Sequence, residues 1–294
     1  MKIADRLFVF RISIMQSPLA PEELFAALEI NFNTYDDLEN HTSITTFYAD
    51  TPEERDAALE IFKQARKIWE KDLGVKFSEP ELSEIPKEEW SESWKKYFHP
   101  IEISERLLIL PSWLNDPPKP GQKVLVIDPG MSFGTGQHAT TLFCLQMIDR
   151  LAAKEKINSM LDAGCGSGIL SIAAKLSGIE TVDAFDNDPD AVKIAKENCA
   201  LNHQEKINVF TADAAIYPGR PEKYDLVCAN ILAHLLSKFK ENIITWVKPG
   251  KFLVLSGILS TEYRALADEY IALGFEELSS ATLKEWTSGL FRKN

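Results

Sequence analysis

The sequence predicts an α/β protein in two parts. An open, mostly parallel sheet of Rossmann-like type, with helices on both faces, follows a smaller α+β domain of ferredoxin-like layout. Three observations carry this. From Gln122 onward, short apolar runs alternate with helical segments, the mark of βαβ units. A glycine-rich turn follows the first of those runs and leads into a helix. The first 82 residues order their elements as β-α-β-β-α-β, the split βαβ arrangement.

The 294 residues are enough for two domains, each with its own core. At 45% hydrophobic and 26% charged, the chain is neither disordered nor fibrous in type. Its 32 Lys and Arg against 44 Asp and Glu leave a net charge of −12. So acidic a chain suits a small ligand or a basic protein partner, and stable nucleic-acid binding is not expected. No apolar run approaches the ~18 residues of a membrane span, and the N-terminus has no signal-peptide pattern. Cys144, Cys165, Cys199 and Cys228 lie far apart and never as C-x-x-C, which predicts reduced thiols and a cytoplasmic protein. The five histidines show no H-x-x-x-H or H-E-x-x-H spacing, so no metal is expected.

Residues 7–15 alternate as a strand, and 22–29 carry helical spacing through Leu24, Phe25 and Leu28. Residues 33–40 form a weak strand, and 43–48 a stronger one rich in β-branched and aromatic side chains. Thr51, Pro52 and Glu54 supply N-cap, N1 and N3 of a helix that runs to about Leu73 and stops at Gly74. Residues 75–82 are the candidate fourth strand. Residues 83–121 form a linker: a helix bearing Trp90 and Trp94 four apart on one face, strand-like residues 101–110, and a loop at 116–121. In the second domain, 122–294, strands are expected at 157–161, 181–185, 207–210, 224–229 and 252–255. Helices are expected at 141–151, 169–176, 189–201, 231–246 and 262–273.

The most informative segment is MLDAGCGSGIL (160–170), where an apolar strand meets Asp162, Gly164, Gly166 and Gly168 before a helix. Glycines at such a turn let a ligand approach the backbone. Ile169 stands where a dinucleotide fingerprint needs glycine, and Asp162 suits a cationic ligand. The next strand ends in Asp186, placed to hold a ribose diol. Together these features point to S-adenosylmethionine rather than a nicotinamide cofactor. Asp213, after the third strand, either holds an adenine amino group or caps its own loop.

A second constellation, DPGMSFGTGQHATT (128–141), reads as a flap whose Phe133, Gly134 and Thr141 are cofactor candidates, or as a glycine-rich turn with Thr capping a helix. His138 within it is assigned a structural, flap-ordering role rather than base catalysis. Asn230 ends the fourth strand, where its amide oxygen can accept from an N–H group of cofactor or substrate; it can also cap the following helix, and both roles can hold together. It is the catalytic candidate.

These segments, with ANIL (229–232), LSGIL (255–259), WKKYFHP (94–100), LPSW (110–113) and Glu285-Trp286, together resemble the PrmA family, methyltransferases of large-subunit ribosomal protein eleven. The resemblance runs from about residue 90 to the end. It implies a class I S-adenosylmethionine-dependent fold with a seven-stranded sheet and an N-terminal substrate-recognition domain. It also implies methylation of lysine ε-amino and N-terminal α-amino groups of that basic ribosomal protein. By similarity Thr141, Gly164, Asp186 and Asn230 bind the cofactor. A monomer is expected.

The rival readings are a same-fold enzyme acting on nucleic acid, another protein or a small molecule, and a non-catalytic ribosome-assembly module. Nucleic-acid amino methylation favours a Pro-Pro-aromatic run after the fourth strand, which Asn230-Ile-Leu-Ala233 lacks.

Overall fold

The computed structural model describes residues 6–17, 21–25, 28, 30, 32–37, 42–86, 99–128 and 138–294. The chain divides into two compact units, Met1–Phe98 and His99–Asn294. Among the described residues, no helix is long and apolar enough to cross a membrane.

The first unit comprises β1 (Arg6–Gln16), α1 (Pro21–Phe25), β2 (Phe32–Asp37), β3 (Thr42–Ala49), α2 (Pro52–Ile68), β4 (Lys76–Phe77) and β5 (Glu81–Pro86). Its antiparallel sheet runs β2-β3-β1-β4, with β5 also against β1, the order of a split βαβ fold. Alternation puts Phe10, Ile12 and Ile14 of β1 into a core with Phe25, Phe47 and Phe62. Phe10 stacks on Phe47 with centroids 4.4 Å apart. Thr51 caps α2 by accepting from Glu54 N–H at 3.2 Å. Glu54 reaches back to Asp50 N–H, one residue earlier than a standard capping box. A single π turn, Trp69–Leu73, then leads to Gly74.

The single strand expected at 75–82 is instead two. Pro80 has no N–H to give a ladder, so pairing breaks there and resumes at Glu81. Ser78 bridges the gap through Ser13, whose N–H it accepts at 2.8 Å. Strand β5 also takes residues 83–86, expected as helical linker. The remainder of that helix, with Trp90 and Trp94, lies outside the described residues, as do Phe133 and Gly134 of the flap.

The unit boundary at His99 differs from the expected domain start at 122. The strand-like segment 101–110 is a hairpin, β6 (Ile101–Ser104) and β7 (Leu107–Leu110), and β7 pairs in parallel with β8 (Lys123–Val126). Ile103, Leu107, Ile109 and Leu125 are buried in the core of the second unit, and so belong to it.

That unit is dominated by a sheet of order β11-β10-β9-β12-β13-β15-β14. Its strands are β9 (Ser159–Ala163), β10 (Thr181–Asp186), β11 (Asn208–Thr211), β12 (Tyr224–Asn230), β13 (Val247–Leu259), β14 (Phe275–Leu283) and β15 (Trp286–Lys293). The pairs from β11 through β13 are parallel, and β15 runs antiparallel to both neighbours. Among the described residues, six helices accompany it: α3 (Ala139–Lys154), α4 (Ile169–Leu176), α5 (Pro189–Leu201), α6 (Ala233–Lys238), α7 (Lys240–Trp246) and α8 (Ser260–Ala272). Leu226 and Cys228 of β12 face one helical layer, Val227 and Ala229 the other, so a continuous apolar run serves two cores. The single helix expected at 231–246 begins at Ala233 and breaks at Phe239. Strand order reverses between β9 and β12, opening a crevice at their C-terminal ends.

The opposite end of these strands is clasped by buried Asp225. Its carboxylate accepts from the N–H groups of Asn158 and Ser159 and from Lys248 Nζ at 2.9 Å. Burial alone would raise its pKa, but the Lys248 ammonium and the Asn158 N–H outweigh it and hold the acid below the usual carboxylate range. A depressed native pKa gives stability that is full above the unfolded value and lost as pH falls through the native one. Asp225→Ala is therefore expected to lose about 2 kcal/mol at neutral pH and to flatten the acid side of the stability curve, read by urea unfolding from pH 3 to 7.

Candidate active site

At the strand reversal lies a cleft of about 260 Å³, walled by the turn after β9, the ends of β10, β11 and β12, and the first turn of α3. The turn after β9 needs its glycines. Gly164 (φ 77°) turns the chain so that the N–H groups of Gly164 and Cys165 both donate to Phe185 O at 2.9 Å. A β-carbon on Gly164 would sit 2.4 Å from Ile231 Cγ2, so the glycine is imposed by its neighbour as well as by its backbone angle.

Asp186, at the end of β10, accepts the Gly166 N–H at 2.9 Å through Oδ2 and the Asp188 N–H at 3.1 Å through Oδ1. Each oxygen keeps a second lone pair, and Asp186 lines the cleft. Asp213 caps its own loop, Oδ1 accepting the Ala215 N–H at 2.8 Å, and lines the cleft as well. The two roles weighed from sequence are compatible.

Thr141 and Asn230 also line the cleft, one from α3 and one from the end of β12. Thr141 Oγ1 and Asn230 Oδ1 are buried yet have no hydrogen-bond partner among the described residues. Such atoms carry a desolvation penalty unless a ligand satisfies them. Neither residue is a helix cap. His138 caps α3, its Nδ1 accepting the Thr140 N–H, and Leu232 precedes α6. His138 also packs edge-on against Trp286 at 5.1 Å, and burial lowers its pKa.

Asp162 does not reach the cleft wall. It is fully buried behind the glycine turn, Oδ2 accepting from Ser171 Oγ at 2.7 Å and Oδ1 without a partner among the described residues. Burial, aided by the nearby Asp186 charge and opposed by the Ser171 hydrogen bond, pushes its carboxyl up to about 7. Cys165 lines the cleft, but burial raises its thiol far out of the reactive range. All four cysteines are free and buried. Sequence reasoning missed Leu235 and Phe239, which supply apolar wall. Both fall in the segment expected as one continuous helix, which the structure divides at Phe239.

A sheet of this order, with one antiparallel strand beside its edge and a glycine-walled cleft at the reversal point, defines a class I S-adenosylmethionine-dependent methyltransferase. The cleft fits that cofactor: a glycine turn that leaves backbone approachable, a strand-end carboxylate with spare lone pairs, and two orphaned polar oxygens. Residues 12–294 match the family described as ribosomal protein L11 methyltransferase (PrmA), and the chain belongs to that family.

The ribosomal protein L11 methyltransferase of Caldanaerobacter subterraneus subsp. tengcongensis is 37% identical over 233 residues, 77% of this chain and 73% of that one. The enzyme of the same name from Streptococcus pyogenes serotype M4 is 33% identical over 261 residues, 88% of this chain and 81% of that one. The crystal structure of a ribosomal protein L11 methylase from Lactobacillus delbrueckii subsp. bulgaricus superposes with a TM-score of 0.60 at 28% identity, covering 67% of this chain and all of the other.

Gly164→Ala is expected to displace Ile231 and weaken cofactor affinity by at least about tenfold, measured by calorimetry with S-adenosylhomocysteine. For Asp162 the linkage has the opposite sign to that of Asp225. Its raised native pKa means the folded chain keeps a proton that the unfolded chain has released, so stability falls as pH rises from about 4 to about 7. Asp162→Asn should remove that slope, read from melting temperatures across the window.

Proposed function

We propose that this enzyme methylates ribosomal protein L11, at lysine ε-amino and N-terminal α-amino groups, and that the unit Met1–Phe98 recognises the substrate. The single observation that carries the assignment of the centre is the pair of orphaned oxygens, Thr141 Oγ1 and Asn230 Oδ1, in one cleft at the strand reversal. The family to which the chain belongs supports L11 as substrate, and the net charge of −12 suits a basic ribosomal protein. No nucleic-acid or membrane partner is proposed, and the protein is taken to act as a cytoplasmic monomer.

S-adenosylmethionine, when bound, supplies an activated methyl group with its own leaving group. The chain therefore has to bind, orient and exclude water. Gly164 and Gly166 give backbone access, Asp186 is assigned to the ribose hydroxyls, Asp213 to the adenine amino group, and Thr141 to a polar hydrogen of the cofactor. A lysine amine with a reference pKa of ~10.4 is almost wholly protonated at neutral pH. Entry into an apolar pocket walled by Ile231, Leu235 and Phe239 disfavours the ammonium, and the proton leaves to solvent. Asn230 Oδ1 then accepts one amine N–H and aims the nitrogen lone pair. No histidine is assigned as base, since His138 is engaged in capping α3.

Incubation of L11 with enzyme and cofactor should add mass in 14 Da steps for each methyl group transferred. Asn230→Ala should slow single-turnover transfer by about 100-fold while the melting temperature stays near wild type. Unmodified L11 after prolonged incubation would overturn the substrate assignment, and a wild-type rate in the variant would overturn the role of Asn230.

A further inference from the structure

The segment 255–259 that helped mark the family contributes no atom to the cleft wall, yet it touches both elements that carry the orphaned oxygens. Strand β13 pairs Leu255 with Gly289 of β15 and Ile258 with Thr287, so Ser256 and Gly257 together oppose Ser288 alone. This is a β-bulge, a device that bends a strand and re-aims its side chains. Its two residues act in different directions.

Ser256 is fully buried, and its hydroxyl donates to Thr140 O at 3.1 Å, in the first turn of α3. Its one proton is thereby committed, so the 2.7 Å contact with Ser288 Oγ is donated by Ser288. The next residue after Thr140 is Thr141. Gly257 (φ 81°) allows the backbone of Ile231 to pass beneath it, where a β-carbon would sit 2.6 Å from Ile231 O and 2.9 Å from its carbonyl carbon. The residue before Ile231 is Asn230, which pairs with Ser256 in the parallel register of β12 and β13.

We infer that the Ser256-Gly257 bulge is a positioning element that sets the spacing between Thr141 Oγ1 and Asn230 Oδ1, and thereby the fit of the cleft to its cofactor. Ser256 fixes the first turn of α3, and Gly257 fixes the chain just after β12. Neither touches the ligand; both act through a neighbour. The inference rests on the reading of Thr141 as a cofactor residue, and the test separates the two.

Affinity for S-adenosylhomocysteine is measured by calorimetry in the wild type, Ser256→Ala, Thr141→Val and the double variant, with thermal melts on each. Each single substitution is expected to weaken binding by about five- to tenfold, and the double variant to bind no more weakly than Thr141→Val alone. A merely structural serine would lower the melting temperature and give losses that multiply. Ser288→Ala, which removes only the outer tether of Ser256, repeats the cycle with a milder change should Ser256→Ala fold poorly.

Losses that multiply, or wild-type affinity in Ser256→Ala while Thr141→Val binds weakly, would overturn the positioning role alone. Wild-type affinity in Thr141→Val would overturn the assignment of Thr141, and with it the element proposed to position it. Gly257→Ala provides the second arm: weakened binding supports the inference, and unchanged binding with an unchanged melt counts against it.

Discussion

Ile231 is held between two glycines, and much of the site depends on that close fit. Its side chain occupies the space that a β-carbon on Gly164 would fill, and its backbone the space that one on Gly257 would fill. The turn after β9, the end of β12 and the bulge of β13 are therefore packed as a single unit. A β-carbon at either glycine would force a shift against Ile231. Next to Ile231, Asn230 ends β12 with its amide oxygen buried and, among the described residues, unpartnered.

The electrostatics of the cleft follow from how its carboxylates are used. Asp186 accepts two backbone N–H groups and fastens the end of β10 to the glycine turn. Asp213 fastens its own loop. Asp162 is buried deeply enough that its carboxyl is raised to about 7, and the Ser171 hydroxyl donates to it and offsets part of that rise. The thiols of Cys144 and Cys165 are raised well above their ordinary range by burial, so none is poised as a nucleophile. What is left facing the cleft is a frame of aligned oxygens and apolar walls. Such a frame suits a reaction whose reactive group arrives with the cofactor and whose difficulty lies in alignment.

The alternation of apolar runs and helices was enough to read the parallel sheet, because a strand buried on both faces must be apolar throughout and its crossovers must be helical. Helices α4 and α5 fall where the sequence places them, since local periodicity and Pro189 after the Asp188 cap specify them without distant help. Thr51 and Gly74 bracket the α2 segment for the same reason. The glycine turn and the acid at the end of β10 were legible because their spacing is short and set by one βαβ unit.

The failures were nonlocal. The break at Phe239, the division of the fourth strand at Pro80, and the membership of residues 101–110 in the second unit depend on which partner each segment finds. Asp162 shows the same limit, since its pattern suits a cationic ligand but its burial turns it inward to Ser171. The chain by itself determined the elements and the glycines, because backbone conformation and burial period are properties of neighbouring residues. Only tertiary packing decided which oxygens were left without partners, because that depends on contacts between segments such as Thr140 and Ser256, 116 positions apart in the chain.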